Sequence, residues 1–140
     1  MSESDYHIVW LLRRLFRALA DRSNQKLQDL GVSAADRATM EFLYPDLKLS
    51  VPEIAARYQV SRQHVQVVVN GLLGRSLLHA QPNPQHKRSS LLRLTQRGRE
   101  LFAAIRESES VIVERIFADV SDDDLEVTRN TLDTVFKQLN

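Results

Sequence analysis

Cysteine is absent from the 140 residues, which excludes a disulfide framework, a thiol redox switch and a thiolate metal site. Glycine and proline are scarce, with four of each, so there is little room for long irregular loops. No apolar run approaches the roughly 18 residues that a membrane-spanning helix needs. The first ten residues also lack the basic and apolar regions of a secretory signal. We therefore expect a cytoplasmic protein that does not enter a membrane.

Acidic residues are absent from one internal window, between Ile54 and Arg99. The window holds eight of the 19 basic residues and none of the 18 acids, so it carries +8 while the other 11 bases and 18 acids leave −7. The net charge of +1 hides this division. The basic residues of the window are Arg57, Arg62, Arg75, Lys87, Arg88, Arg93, Arg97 and Arg99. A contiguous segment without acids is typical of a surface that binds phosphate.

Serines followed by an acid three residues later predict two short helices ahead of this window. Ser33 with Asp36 and Ser50 with Glu53 each have the spacing of a capping box. Ser61 then opens another helix almost at once. Two helices joined by about three residues are typical of a helix-turn-helix.

The helix that begins after Ser61 has one apolar and one polar face at 100° per residue. The core stripe comprises Val65, Val68, Val69 and Leu72. The opposite face comprises Gln63, Gln66, Val67, Asn70 and Gly74. Amides can bond adenine edges in a major groove, and a valine methyl can contact a thymine methyl. An ordinary solvated helix face is the alternative interpretation of this pattern.

A basic hairpin follows this helix. Residues 77–81 and 90–94 are predicted strands, and the polar loop between them carries His86, Lys87 and Arg88 at its tip. A hairpin directly after a helix-turn-helix indicates a winged helix, whereas a solvated surface hairpin is the alternative. The predicted class is mainly α (α+β), with a winged helix-turn-helix DNA-binding lobe at residues 33–97.

Long amphipathic helices are predicted on both sides of that lobe, at residues 6–30, at 96–120 and after Ser121, which has Asp124 three residues on as in a capping box. Their apolar surface exceeds what a winged helix can cover, so residues 1–32 and 98–140 are predicted to form a helical dimerisation lobe. A two-fold homodimer would place two reading helices about 34 Å apart, one duplex turn, on a palindromic site. A monomer with a compact helical lobe is the alternative.

With this order of elements, the chain resembles the multiple antibiotic resistance regulator (MarR) family of dimeric winged-helix transcription factors. Residues 30–78, LGVSAADRATMEFLYPDLKLSVPEIAARYQVSRQHVQVVVNGLLGRSLL, are similar to the family's helices two to four. Residues 83–101, NPQHKRSSLLRLTQRGREL, are similar to its wing and fifth helix, where Leu94-Thr95 and Gly98 match a Leu-Thr-x-x-Gly pattern. The chain departs from the family at Asn83 and His86, where the wing usually has acids, and at Ser76, where a helix-ending glycine is expected.

The resemblance implies a homodimeric repressor of transcription that binds a pseudo-palindromic double-stranded operator and is released by a small aromatic acid or phenol. It implies that the helix after Ser61 enters the major groove and that Arg88 reaches the minor groove. The predicted DNA-binding residues are Ser61, Arg62, Gln63, His64, Gln66, Val67, Asn70, His86, Lys87 and Arg88. A winged-helix module that antagonises another regulator without binding DNA is the alternative function.

An effector cleft is a second prediction. His7, Trp10 and Arg14 on the first helix and Phe42 on the second can line a cleft for an aromatic acid, with the arginine holding its carboxylate. The alternative is that Trp10 and Phe42 are only core residues. No pair among the histidines has the spacing of a helical zinc site, and phosphate loops and nucleophile elbows are absent, so we expect no metal, no cofactor and no enzymatic activity.

Overall fold

The computed structural model describes residues 2–140, which form six helices and a two-stranded antiparallel sheet. In chain order the elements are α1 (Glu3–Asp29), α2 (Ala34–Leu43), α3 (Val51–Tyr58), α4 (Arg62–Gly74), β1 (Leu78–Gln81), β2 (Leu91–Leu94), α5 (Gln96–Ile116) and α6 (Asp122–Leu139). The chain divides into two compact units, the first ending at Glu107 and the second comprising Ser108–Asn140. Across the described residues, every helix is too short or too polar to cross a bilayer. The predicted winged-helix class is confirmed.

Serine caps begin the central helices where the sequence predicts them. Ser33 and Ser50 form complete capping boxes with the acids three residues later. Ser61 caps α4 by accepting a hydrogen bond from the His64 amide at 3.0 Å. Ser121 caps α6 through the Asp124 amide at 3.1 Å. The return bond from the Asp124 carboxylate, predicted as part of a capping box, is not formed within residues 2–140, so that detail is wrong.

Helix α1 begins three residues earlier than the predicted start at Tyr6. Ser2 and Asp5 form a capping box that the apolar periodicity alone does not indicate. Hydrogen bonds from the Ser2 side chain and backbone hold the pKa of Asp5 below its ordinary value. At the other end the helix stops before Gly31, which adopts φ +69°, a left-handed conformation that favours glycine.

The core of the first unit lies where α2, α3, α4 and the hairpin meet. From α4 it takes Val65, Val69 and Leu72, all essentially inaccessible to solvent, with Val68 half-buried beside them. The predicted core stripe is therefore confirmed. Its other fully buried side chains include Met40, Leu43, Ile54, Leu77, Leu94, Phe102 and Ile105. Because this stripe faces inward, the opposite face of α4 is left exposed to solvent.

The hairpin pairs β1 with β2 from Leu78 opposite Leu94 to Gln81 opposite Leu91. Outside the two strands, Leu49 and Leu92 form a single bridge and exchange backbone hydrogen bonds of 3.1 and 2.8 Å. An ion pair of 2.7 Å between Asp46 and Arg93 lies close to this bridge in sequence. The segment before α3 thus ties the hairpin to the helical core.

The start of α5 is fixed to the end of α4 and to β1. Thr95 Oγ1 accepts from the Gly98 amide at 3.0 Å and donates to the Ser76 carbonyl at 2.7 Å. A Cβ at Gly98 would lie 2.2 Å from the Leu77 carbonyl oxygen, so only glycine fits. These contacts explain the threonine and the glycine of the Leu-Thr-x-x-Gly pattern. Ser76 adopts φ +58°, the left-handed conformation in which the family resemblance leads one to expect glycine.

Helix α6 of the second unit has no buried residue. Its apolar side chains lie mostly along one stripe, since Leu125, Leu132, Val135, Phe136 and Leu139 fall within an arc of about 100° on a helical wheel. Phe136 is 61% exposed and Leu139 is 81% exposed. The stripe is a regular amphipathic face whose apolar side chains remain in contact with solvent.

Candidate nucleic-acid interface

The N-terminus of α4 is shaped to meet a negatively charged ligand. Ser61 is the N-cap, and Arg62 and Gln63 occupy the first turn with exposed side chains. The first turn of α4 contains no acid. The unpaired amides of a first helical turn carry partial positive charge, which the Arg62 guanidinium reinforces. An oxyanion such as a DNA phosphate is the natural ligand of this end.

A row of rings supports this helix end from the adjacent helices. Phe42 of α2 lies 6.0 Å from Tyr58 of α3, measured between ring centroids, and Tyr58 lies 6.4 Å from His64 of α4. Phe42 and Tyr58 are half-buried, whereas His64 is exposed. His64 therefore combines a ring contact to the core with a position on the outer surface of the helix start.

The exposed face of α4 presents the polar side chains predicted to read bases. Gln63, Gln66 and Asn70 are exposed, and Val67 keeps 67% of its surface accessible. Gln66 Nε2 donates a hydrogen bond of 2.8 Å to Asn70 Oδ1. The amides form an ordered set along the helix, with a valine methyl beside them.

The wing is the segment between β1 and β2, residues 82–90. Asn83 Oδ1 accepts from the Gln85 amide at 3.0 Å, and the His86 amide donates to the Asn83 carbonyl at 3.2 Å. Asn83 thus shapes a turn at the place where the family usually has an acid. Within residues 2–140 Arg88 has no carboxylate partner, so a wing ion pair does not orient its guanidinium.

A cleft of about 470 Å³ separates the wing from α4 and brings four predicted DNA-binding residues together. Arg62, Gln63 and Gln66 line its helical side, and Arg88 lines its wing side. The remaining lining residues are Val51, Pro52, Val69, Leu73, Ala80, Ser89, Ser90 and Leu92. The predicted contacts His86 and Lys87 are exposed in the wing and do not line the cleft, and Ser61 serves as the N-cap.

Sequence reasoning missed several residues of this cleft. Ser89 and Ser90 offer hydroxyl groups next to Arg88, and Val51 and Pro52 form part of an apolar wall. The polar composition of the wing could have indicated Ser89 and Ser90 as part of a binding surface. No sequence signal indicates that the first turn of α3 faces the wing, because that contact exists only after the chain has folded.

In the folded chain, acids from outside the acid-free window pair with two of its cations. Arg75 contacts Asp36 at 3.5 Å, and Arg93 contacts Asp46 at 2.7 Å, so two of the eight cations have carboxylate partners from outside the window. The other six, Arg57, Arg62, Lys87, Arg88, Arg97 and Arg99, form no ion pair with any acid in the described part of the chain. The charge available to a phosphate backbone therefore centres on α3, α4, the wing and the start of α5.

The predicted effector residues are only partly brought together. His7 and Trp10 have ring centroids 5.3 Å apart, and the Arg14 guanidinium carbon lies 4.5 Å from the centre of a Trp10 ring. Trp10 is 44% exposed, which excludes a purely core role within the chain. Phe42 instead contacts Tyr58, and no ring contact recorded for residues 2–140 joins it to Trp10. Over the same residues, no group of three metal-ligating side chains is found.

Comparison with known proteins gives no matching family model, but it finds relatives along nearly the whole chain. An uncharacterized protein of Mycobacterium tuberculosis, Rv2011c, is 40% identical over 130 residues, which span 91% of this chain and 83% of that protein. The HTH-type transcriptional regulator MhqR of Bacillus subtilis is 21% identical over 135 residues, spanning 96% of this chain and 93% of that protein.

Solved structures share the fold. A MarR family transcription regulator, SP03579, superposes with a TM-score of 0.88 at 23% identity, over 98% of this chain and 91% of that one. Staphylococcus aureus MepR in a DNA-binding conformation gives a TM-score of 0.84 at 19% identity, over 95% and 98% of the two chains. S. aureus MarR in complex with salicylate and kanamycin gives 0.88 at 15% identity, over 96% and 91%. The helix-turn-helix and the wing agree with these comparisons, and the chain has the winged-helix fold of MarR family transcription regulators.

Proposed function

We propose that this protein is a MarR family transcriptional regulator, a homodimeric repressor that binds a pseudo-palindromic operator and is released by a small aromatic acid or phenol. One observation carries the DNA-binding part of the proposal: Arg62, Gln63, Gln66 and Arg88 come together around one cleft. Residues distant in sequence thus form one surface with cations on both sides and amides between them.

The geometry suggests that α4 and the two arginines contact different parts of duplex DNA. A major groove about 12 Å wide admits an α-helix, and α4 presents Gln63, Gln66 and Val67 from its exposed side. Arg62 at the start of α4 and Arg88 on the wing supply phosphate or minor-groove contacts, which add affinity without base selection unless they reach base edges. The DNA-binding conformation of MepR, which shares this fold, supports this mode of binding.

The salt dependence of DNA binding tests whether Arg88 on the wing contacts a phosphate. Each phosphate contact that is lost should reduce the slope of log affinity against log salt concentration by about one unit. Arg88→Ala should therefore weaken duplex binding and flatten that slope in fluorescence-anisotropy titrations. Lys137→Ala in α6 is the matched control, since it removes one positive charge outside the DNA interface, about 140° around the helix from Leu132, and should leave the slope unchanged. Equal slopes for wild type and Arg88→Ala would refute the wing assignment.

Exposed apolar helices support a homodimer. On α1, Phe16 is 76% exposed and Tyr6 is 58% exposed, and on α6 the apolar stripe is exposed throughout most of its length. Contiguous exposed apolar faces mark interaction surfaces. A second copy of the chain, related by a two-fold axis, would cover both apolar faces. We therefore assign residues 1–32 and 98–140 to dimerisation and residues 33–97 to DNA binding, a functional division that differs from the compact units.

A charge placed in the α6 stripe tests this assignment. Leu132→Asp should yield monomers in analytical ultracentrifugation, because an aspartate at a buried interface loses its hydration without gaining a partner. Operator affinity should fall with it, since two half-sites are no longer bound together. Asn130→Asp places the same charge about 160° away on the same helix and should remain dimeric. A dimeric Leu132→Asp variant would exclude α6 from the interface.

The effector site is proposed at the His7, Trp10 and Arg14 cluster, with Phe42 as a further wall. The exposed indole ring offers a stacking surface, and Arg14 can pair with a carboxylate. The salicylate complex of S. aureus MarR supports an aromatic acid as the ligand class. Salicylate should release wild-type protein from its operator and should be much less effective on Arg14→Ala. Equal release from both proteins would exclude Arg14 as the carboxylate partner.

Repression should be tested separately from binding. In a purified transcription assay, the protein should lower transcript from a promoter that contains its operator, and salicylate should restore it. Activation in the same assay would reverse the assigned direction of regulation. The alternative function, a winged helix that antagonises another regulator, predicts no salt-sensitive duplex binding. The six cations without a carboxylate partner favour the DNA-binding function over that alternative.

A further inference from the structure

The side chains of Gln66 and Asn70 form a hydrogen-bonded pair on the exposed face of α4. Gln66 Nε2 donates to Asn70 Oδ1 at 2.8 Å, one helical turn further along. Gln66 also lines the cleft that contains Arg88, and both amide side chains are exposed. No other side-chain hydrogen bond within residues 2–140 engages either amide. The pair is therefore ordered by itself and open to a ligand.

The direction of this bond decides which polar groups the pair offers. A primary amide has two N–H donors and one carbonyl acceptor. Gln66 uses one donor on Asn70 and keeps one donor and its carbonyl oxygen. Asn70 accepts with its carbonyl and keeps both donors. Gln66 thus presents a donor and an acceptor side by side, whereas Asn70 presents mainly donors.

The groups left on Gln66 match adenine rather than guanine. In the major groove adenine offers the N7 acceptor and the N6 amino donor, whereas guanine offers two acceptors, N7 and O6. Guanine needs two donors, and Gln66 has only one left. If the bond ran in the opposite direction, Gln66 would keep both donors and could pair with guanine. The observed direction therefore favours adenine.

We propose that Asn70 is a positioning residue that fixes the amide of Gln66 for adenine, and so sets the base preference at one position of each half-site. This inference rests on the DNA binding proposed above and deepens it by naming the base and the residue that selects it. A purely structural role is the competing explanation, because amide pairs one turn apart stabilise helices slightly. Base preference separates the two explanations, since helix stabilisation does not depend on which base is bound.

Two substitutions of Asn70 change the bond in different ways. Asn70→Ala removes the acceptor, which leaves the Gln66 amide free to turn. Asn70→Asp keeps an acceptor and has no donor when ionised, so it preserves the direction of the bond. The added negative charge of the Asp variant should weaken binding to every duplex alike. Gln66→Ala identifies the base position that Gln66 reads.

The full-length wild type and the three variants are used to select duplexes from a random library. Affinities are then measured for duplexes that differ by one A·T to G·C exchange, and thermal midpoints serve as the structural readout. We expect the wild type to prefer adenine by about tenfold at one position of each half-site. Asn70→Ala should reduce this preference to about twofold or less, with its thermal midpoint near that of the wild type. Asn70→Asp should retain the preference at lower overall affinity.

Four results would overturn the proposal. A wild-type profile for Asn70→Ala, or loss of adenine preference in Asn70→Asp, would refute the positioning role while leaving DNA binding intact. A guanine at the position lost in Gln66→Ala would show that the bond runs in the opposite direction on DNA. If the wild type enriches no sequence at all, the proposed function fails together with this inference.

Discussion

Gly98 is the position where one added methyl group should lower the stability of the fold most. A Cβ there would lie 2.2 Å from the Leu77 carbonyl oxygen, 3.1 Å from the Leu77 carbonyl carbon and 3.2 Å from Leu94 Cδ2. Two of these atoms belong to the backbone and cannot rotate away. Ordinary contacts are about 3.5 Å or longer, so Gly98→Ala must push the start of α5 away from β1 by about 1 Å.

The expected cost follows from the bonds at this junction. The Leu77 carbonyl accepts from the Thr95 amide at 3.1 Å, and the Ser76 carbonyl accepts from Thr95 Oγ1 at 2.7 Å. A 1 Å displacement weakens both. Overpacking costs about 1–3 kcal/mol, and each hydrogen bond contributes about 0.5–1.5 kcal/mol. Gly98→Ala should therefore lower the free energy of unfolding by about 4 kcal/mol, and the thermal midpoint by roughly 10 °C.

Urea denaturation followed by circular dichroism measures this loss. Gly71→Ala is the matched control, because it adds the same methyl group in α4 where no atom lies within 4 Å. Alanine is favoured over glycine inside a helix by about 1 kcal/mol, so this control should be stabilised. If Gly98→Ala unfolds within about 1 kcal/mol of the wild type, the junction adapts freely and the argument from close packing is wrong.

Three smaller effects can be measured in the same way. Ser76→Gly should raise the unfolding free energy by about 1 kcal/mol, because φ +58° is strained for serine and easy for glycine; a loss would show that the serine side chain stabilises this turn. Thr39→Val should gain about 1 kcal/mol, since the buried Thr39 hydroxyl has no hydrogen-bond partner within residues 2–140; destabilisation would indicate an ordered water there. Asp46→Asn should cost less than about 1 kcal/mol, because Asp46 is 62% exposed. It should steepen the salt dependence of DNA binding by freeing Arg93, and an unchanged slope would place Arg93 away from DNA.

Local signals predicted much of the fold. The serine caps at Ser33, Ser50 and Ser61 begin helices as expected, because capping depends only on neighbouring residues. The core stripe of α4 and both strands of the hairpin also agree with the predictions. Helix ends were less predictable. The cap at Ser2 moved the start of α1, and α5 ends at Ile116 rather than near residue 120.

The site depended more on contacts between distant segments. Sequence placed Arg62, Gln66 and Arg88 in one basic window but could not show that they share a cleft. It also could not show that Asp46 neutralises Arg93, since the two residues are 47 positions apart in the chain. The direction of the bond from Gln66 to Asn70 is equally invisible in sequence, because both residue types can donate and accept.

The central claim, sequence-specific duplex binding by a homodimer, is tested most directly by selecting bound fragments from the source genome with the full-length protein. The account predicts enrichment of an imperfect palindrome whose half-site centres lie about 10 base pairs apart, one duplex turn. Affinity for that site should exceed affinity for unrelated duplexes by about a thousandfold or more at physiological salt. Equal affinity for all duplexes, or no binding at any salt concentration, would contradict the account.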